Sequence, residues 1–352
     1  MDDAKRILII GPSWVGDMIM TQSLFMTLKQ LYPNADIDVL APDWTRPLLE
    51  RMPEVQDTIS IDIDHGVLNW QRRKAIAKKL RARDYSHCIV IPNTLKSALI
   101  PFFAKIPQRT GWLKEPRYWL LNDLRKLDKS RYPAMLQRLN ALAYPAKTEL
   151  PEKLPTPRLS VAKESVQEAL DKHNLNTDTP ILVLCPGAEF GVSKRWPETH
   201  YAKLAIEYLA NGWQVWLFGS DNDFQVCNTI NELVSGAGHN LAGKTTLAEA
   251  IDLMSLASLV VSNDSGLMHM AAALDRSLIA LYGSTSPDFT PPASENSLVL
   301  QIELDCSPCF KRECPLQHHQ CMQQLSPEMV ITACHNKTVK NSSGKLSAMT
   351  LS

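Results

Sequence analysis

Twice along this sequence a short apolar run ends in a glycine-bearing turn and is followed by residues with helical periodicity. Arg6–Ile10 closes at Gly11, and the next segment places Met18, Thr21, Leu24, Phe25 and Leu28 on one helical face up to Leu31. Ile181–Leu184 closes at Cys185-Pro186-Gly187 and leads to a helical pattern over residues 198–211. A continuous apolar run bounded by a turn suits a strand buried on both faces, and strands alternating with helices predict a mostly parallel, doubly wound α/β sheet. Asp36–Leu40 and His87–Ile91 extend the first set of strands; Val215–Phe218, Leu259–Val261 and Leu278–Leu281 extend the second. A basic helix is expected over residues 68–83, and the segment after Asp43 also reads as helical. Four prolines between Pro145 and Pro157 mark a loop, followed by a connecting helix near residues 161–173. The reading is two Rossmann-like domains, residues 1–172 and 173–352, and a length of 352 residues can bury two such cores. Ligands of these sheets bind beyond the carboxyl ends of the strands, so a cleft between the domains is the expected ligand site.

Composition excludes several classes. A hydrophobic fraction of 45% with 21% charged residues belongs to a folded globular protein. No apolar run approaches the roughly 20 residues that span a bilayer, and the first residues lead into a strand without a signal-peptide h-region. The expectation is a cytoplasmic protein whose cysteines stay reduced. Four of the eight cysteines form Cys306-x2-Cys309-x4-Cys314-x6-Cys321, with His318 and His319 inside the run. That spacing fits no standard zinc ribbon; reduced thiols in a compact loop are expected, with a structural zinc as the alternative. The tail beyond His335 is polar and reads as frayed.

The net charge of zero conceals an asymmetry. Between Gln71 and Asn140 stand 17 Lys and Arg against 4 Asp and Glu, an excess of 13. Two readings stay open: solvated helix faces, as for Arg72, Arg73, Lys74, Lys78 and Lys79, or a surface that attracts a polyanion. Nucleic acid, anionic lipid and a phosphorylated substrate all qualify.

Three turns carry candidate chemistry. Gly11-Pro12-Ser13-Trp14-Val15-Gly16-Asp17 lacks the dinucleotide spacing, and its Asp17 is either a helix N-cap or a carboxylate able to take a proton from an acceptor hydroxyl. Pro186 to Gly191, followed by Lys194-Arg195, is a glycine-bearing basic loop suited to a diphosphate. Asn263-Asp264-Ser265-Gly266 ends a strand and opens a helix, where free backbone N–H groups attract an anion; His269 falls on the same helical face as Ser265. Gly238 to Thr245 matches the P-loop pattern letter for letter, but a helix precedes it where a buried strand is required.

Together these segments resemble the ADP-heptose:lipopolysaccharide heptosyltransferases of glycosyltransferase family nine. Asn93-Thr94-Leu95-Lys96-Ser97-Ala98, Arg109-Thr110-Gly111-Trp112, Arg117-Tyr118, Tyr282-Gly283 and Ser286 to Pro292 carry the resemblance further, over roughly residues 5–335. It implies the GT-B fold, two Rossmann-like domains facing across a cleft, with the acceptor in the first domain and ADP-heptose in the second. It also implies Asp17 as catalytic base, and Lys194, Asp223, Asp264, Ser265, Gly266 and His269 around the donor. Lys96, Arg109 and Arg117 would face the phosphorylated inner core. No cofactor is implied; the partners are ADP-heptose, a lipid A-linked acceptor already carrying a heptose, and the cytoplasmic face of the inner membrane, rather than nucleic acid. Family members acting on other inner-core acceptors and a GT-B sugar-nucleotide epimerase are the alternatives.

Overall fold

Ile7, Leu8, Ile9 and Ile10 have no polar residue among them, and in the computed structural model all four are buried. The structure describes residues 5–63 and 67–343. The first run forms β1 (Arg6–Ile10), which pairs in parallel with β2 (Asp36–Ala41); β3 (Asp57–Ser60), β4 (His87–Val90), β5 (Gln108–Trp112) and β6 (Asp123–Arg125) complete a six-stranded sheet of order β3-β2-β1-β4-β5-β6. Ile7 pairs with Ile37 on one side and with His87 on the other, so β1 is the centre of the sheet.

The second sheet repeats this order. β7 (Ile181–Cys185), β8 (Gln214–Leu217), β9 (His239–Asn240), β10 (Leu259–Asn263), β11 (Leu278–Tyr282) and β12 (Ser297–Gln301) are arranged β12-β11-β10-β7-β8-β9. Every residue of β7, β10 and β11 is buried, as covering helices on both faces of a parallel sheet require. Each sheet therefore has the Rossmann order, with the strand direction of winding reversing between β1 and β4 in one and between β7 and β10 in the other. The segments that follow those four strands hold Asp17 and Lys96, each in the first turn of a helix, and Lys194 and Ser265, respectively.

Contacts divide the chain into a first unit of Met1–Ser160 with Asp288–Thr290, and a second of Val161–Pro287 with Pro291–Ser352. The helix Lys163–Lys172, assigned to the first domain by the sequence reading, thus belongs to the second unit, where Lys172 and His173 both meet Glu249 at 2.6 and 3.2 Å. The polar tail is ordered further than its composition suggests, since a helix runs from Pro327 to Ser343. Val330, Ala333 and Cys334 bury one of its faces in the second core. Among the described residues no helix is long and apolar enough to cross a membrane. The P-loop look-alike is no phosphate loop: β9 lies inside it, and the helix Phe224–Leu233 precedes it.

Candidate active site

In the second unit the loops after β7 and β10 are tied together at their bases. Asn263, the last residue of β10, accepts from the Trp196 amide at 3.1 Å and the Tyr201 hydroxyl at 3.0 Å, and donates to the Pro186 carbonyl at 2.7 Å. This pins the basic loop beside the helix Gly266–Ala273, whose N-cap is Ser265. Lys194 Nζ then reaches the Asp264 carboxylate at 2.7 Å and its carbonyl at 3.2 Å. Thr285 donates to the same carboxylate oxygen at 2.6 Å. Asp264 is therefore a positioning residue: a buried anion that holds one cation at the N-terminus of a helix. A diphosphate placed there would meet Lys194 and unpaired helix N–H groups.

His269 is buried one turn into that helix. Desolvation lowers its pKa to about 4, with Asp264 opposing the shift and Lys194 adding to it. It is thus neutral near pH 7 and offers an N–H, not a charge. Asp223 is buried as well, and its Oδ2 accepts from the Ser220 amide at 3.0 Å and hydroxyl at 2.9 Å. A Cβ on Gly187 would stand 2.3 Å from the Asp223 carboxyl carbon, so glycine is what lets the two turns close on each other. The ribose contact implied for Asp223 falls on a side chain whose Oδ2 is held by its own turn and whose Oδ1 lies 3.5 Å from Arg195, while the neighbouring Asp221 is exposed.

The four-cysteine loop supports the Lys194 loop, a connection the sequence did not signal. Ser193 donates its amide to the Arg312 carbonyl at 3.1 Å, and its hydroxyl to the Lys311 carbonyl at 2.5 Å. A Cβ on Gly191 would lie 2.3 Å from that Arg312 carbonyl oxygen, which places the two backbones in direct contact. The Phe190 ring sits between cations, with Lys194 at 5.0 Å and Arg312 at 5.6 Å from its centroid. Cys306, Cys309, Cys314 and Cys321 line one small cavity with His318 and His319, and all four are free thiols. Among the described residues no group of three or more His, Cys, Asp and Glu side chains is placed to hold a metal ion.

In the first unit Asp17 stands in the first turn of the helix Val15–Leu31, whose N-cap is Trp14. It is not the cap. Lys96 occupies the first turn of the helix Leu95–Phe103, after the neighbouring strand, and is half-buried. The arginines behave otherwise. Arg117 is fully buried and donates to the carbonyls of Pro92 at 2.8 Å, Thr94 at 3.3 Å and Trp112, and to Asn93 Oδ1 at 3.2 Å. Burial pulls its pKa down to about 10, with Glu115 opposing. Arg109 donates to the Leu120 and Ile106 carbonyls at 2.7 and 2.5 Å. Arg73, expected on a solvated face, is also buried, on the carbonyls of Leu68, Lys96 and Val67. Guanidinium forks suit this stapling because each satisfies several carbonyls at once.

Arg117 accordingly acts on the fold of the loop that leads to Lys96, rather than facing an acceptor. Arg117→Ala strands three carbonyls and an amide oxygen, and is expected to cost about 2–5 kcal/mol of stability. Urea unfolding checks this; an unchanged midpoint with a raised acceptor KM would return Arg117 to the binding surface.

The sequence model for glycosyltransferase family 9 (heptosyltransferase) matches residues 73–320. The chain belongs to this family. It is 46% identical over 340 residues to lipopolysaccharide heptosyltransferase 2 of Salmonella typhimurium, covering 94% of this chain and 98% of that one. Lipooligosaccharide heptosyltransferase 2 of Haemophilus influenzae is 47% identical over 340 residues, covering 93% and 97%. The structure of the ADP-heptose LPS heptosyltransferase II of E. coli superposes with a TM-score of 0.86 at 43% identity, covering 96% of this chain and 99% of that chain. The chain is a glycosyltransferase of the GT-B class, and its two parallel six-stranded sheets are the Rossmann-like units of that class. The family resemblance drawn from Gly11–Met18, Lys194–Pro197 and Asn263–His269 is thereby borne out.

Proposed function

We propose that the chain carries out the heptosyltransferase II reaction, moving L-glycero-D-manno-heptose from ADP-heptose onto heptosyl-Kdo2-lipid A. The observation that carries the donor side is Lys194, held at the N-terminus of the helix Gly266–Ala273 by Asp264, whose carboxylate also accepts from Thr285. Asp17 takes the proton of an acceptor hydroxyl as its oxygen bonds to the anomeric carbon of the donor heptose. The bond from that carbon to the ADP oxygen breaks on the opposite face, so the configuration inverts. The electron pair leaves with ADP, and Lys194 together with the helix N–H groups meets the growing negative charge. His269 adds a neutral hydrogen-bond donor, and the family resemblance assigns the ribose to the turn Ser220–Asp223. In this reaction the chain's own groups supply the charge stabilisation and no cofactor takes part. Lys96 attracts the phosphorylated inner core, and the enzyme works at the cytoplasmic face of the inner membrane. The choice of heptose and of a heptosylated acceptor rests on the likeness to heptosyltransferase 2 enzymes.

Release of ADP from ADP-heptose, measured with inner-core acceptors carrying no, one or two heptoses, tests the reading. Strong preference for the acceptor with one heptose is the expected result. Preference for another acceptor would indicate the heptosyltransferase I or III reaction. Conversion of sugar nucleotide without acceptor would indicate an epimerase, and no ADP release with any acceptor would overturn the proposal.

A further inference from the structure

Folding offsets only part of the excess charge between Gln71 and Asn140: Arg72 pairs with Asp62 and Arg83 with Asp38 and Asp57, whereas a guanidinium bound to a carbonyl keeps its charge. Between Val67 and Leu120 twelve Lys and Arg stand against two acidic residues, Asp84 and Glu115. Glu115 is itself occupied by the Leu95 amide at 2.5 Å. Within this basic field a row of aromatic side chains lies open on the first unit. Trp70 is 44% exposed, Phe102 38%, Tyr118 63% and Trp119 65%.

Trp70 and Phe102 are joined through Phe103. The Trp70 and Phe103 rings meet edge to face with centroids 5.0 Å apart, and Phe103 meets Phe102 at 5.7 Å. Lys74 Nζ lies 5.6 and 5.5 Å from the Trp70 and Phe103 centroids, and the Arg109 guanidinium lies 5.7 Å from that of Phe102. The same Arg109 binds the carbonyl of Leu120, next in the chain to Trp119. Lys105, exposed, turns the chain directly behind Phe102, with its amide on the Phe102 carbonyl at 3.0 Å.

We infer that this ledge of Trp70, Phe102 and Phe103 with Lys74 and Lys105 docks the protein on an anionic phospholipid surface. Aromatic rings and the apolar stems of lysines favour the headgroup boundary, and the ammonium heads meet the negative lipids. Nucleic acid fits less well. Base stacking needs open ring faces, whereas these rings are interlocked edge to face and cations stand beside them. The inference deepens the membrane contact proposed above and rests on that reading for its purpose.

The test is co-sedimentation of the full chain with vesicles of phosphatidylcholine alone or mixed with phosphatidylglycerol. ADP release with a deacylated, water-soluble acceptor is measured in parallel. The wild type is expected to sediment with the anionic vesicles only, and to be released by high salt. Lys74→Ala with Lys105→Ala should weaken vesicle binding about twenty-five-fold, at roughly five-fold per charge. Trp70→Ser with Phe102→Ser should weaken it by about ten-fold or more, without changing ADP release from the soluble acceptor. The lysine variant alters only exposed side chains, so it reports on docking even where the double aromatic variant loses its fold. Absence of wild-type binding to anionic vesicles, equal binding by all variants, or capture of an oligonucleotide in place of vesicles would overturn the inference. Failure of ADP release in the wild type would instead count against the proposed reaction and leave the vesicle result standing.

Discussion

Asp17→Asn is expected to lower kcat by about a hundred- to ten-thousand-fold while leaving the KM for ADP-heptose within about two-fold, the range set by losing a general base. Asparagine keeps the size and hydrogen-bonding shape of the side chain but cannot accept the acceptor's proton. The backbone should hold, because the Asp17 carbonyl accepts from the Thr21 hydroxyl at 2.6 Å and the helix is anchored by the buried Met18, Ile19 and Met20. Trp14 is the N-cap, so the substitution removes no cap. Steady-state kinetics with saturating acceptor provide the measurement. Near-normal turnover would take the role of base away from Asp17.

Lys194→Ala should produce two separable losses. Catalytic efficiency toward ADP-heptose falls by about a hundred- to thousand-fold, the usual cost of losing one preorganised charge at a developing anion. Stability falls too, by about 3–5 kcal/mol, because Asp264 is left as a buried anion without its countercharge. Combining Lys194→Ala with Asp264→Asn neutralises that orphan, and the double variant is expected to regain most of the stability and none of the efficiency. Thermal or urea unfolding beside kinetics on the same samples separates the two. Recovery of efficiency in the double variant would mean that Lys194 serves only to balance Asp264.

Why the site was legible in one unit and less so in the other follows from what each side chain bonds to. The donor loop could be anticipated because Lys194 and Ser265 are carried by loops leaving neighbouring strands of a buried sheet, and such strands announce themselves by unbroken apolar runs. The supports of Lys194 could not. Thr285 follows β11, and Ser193 is bound by Arg312 and Lys311, which lie more than a hundred residues away in the chain. Edge strands were missed for a related reason: β3 and β6 are short and mostly polar, and pairing with their neighbours makes them strands.

The aromatic and basic side chains between Val67 and Leu120 show the same limit. Their charge could be counted in the sequence, but their division into buried staples and exposed cations could not. Arg73 and Arg117 turn inward because nearby carbonyls need donors, whereas Lys74 and Lys105 stay at the surface.

The amino-acid sequence by itself determined the two Rossmann-like units, the segments that carry Asp17, Lys96, Lys194 and Ser265, and the family. All of these depend on local periodicity, turn residues and short runs that survive without knowledge of what packs against them. Tertiary structure alone decided that Asp264 aims Lys194, that His269 is neutral, and that Arg117 is a staple of the fold. Those properties are set by burial and by partners distant in the chain. Desolvation and hydrogen-bond geometry exist only once each unit has folded around its own sheet and brought those partners together.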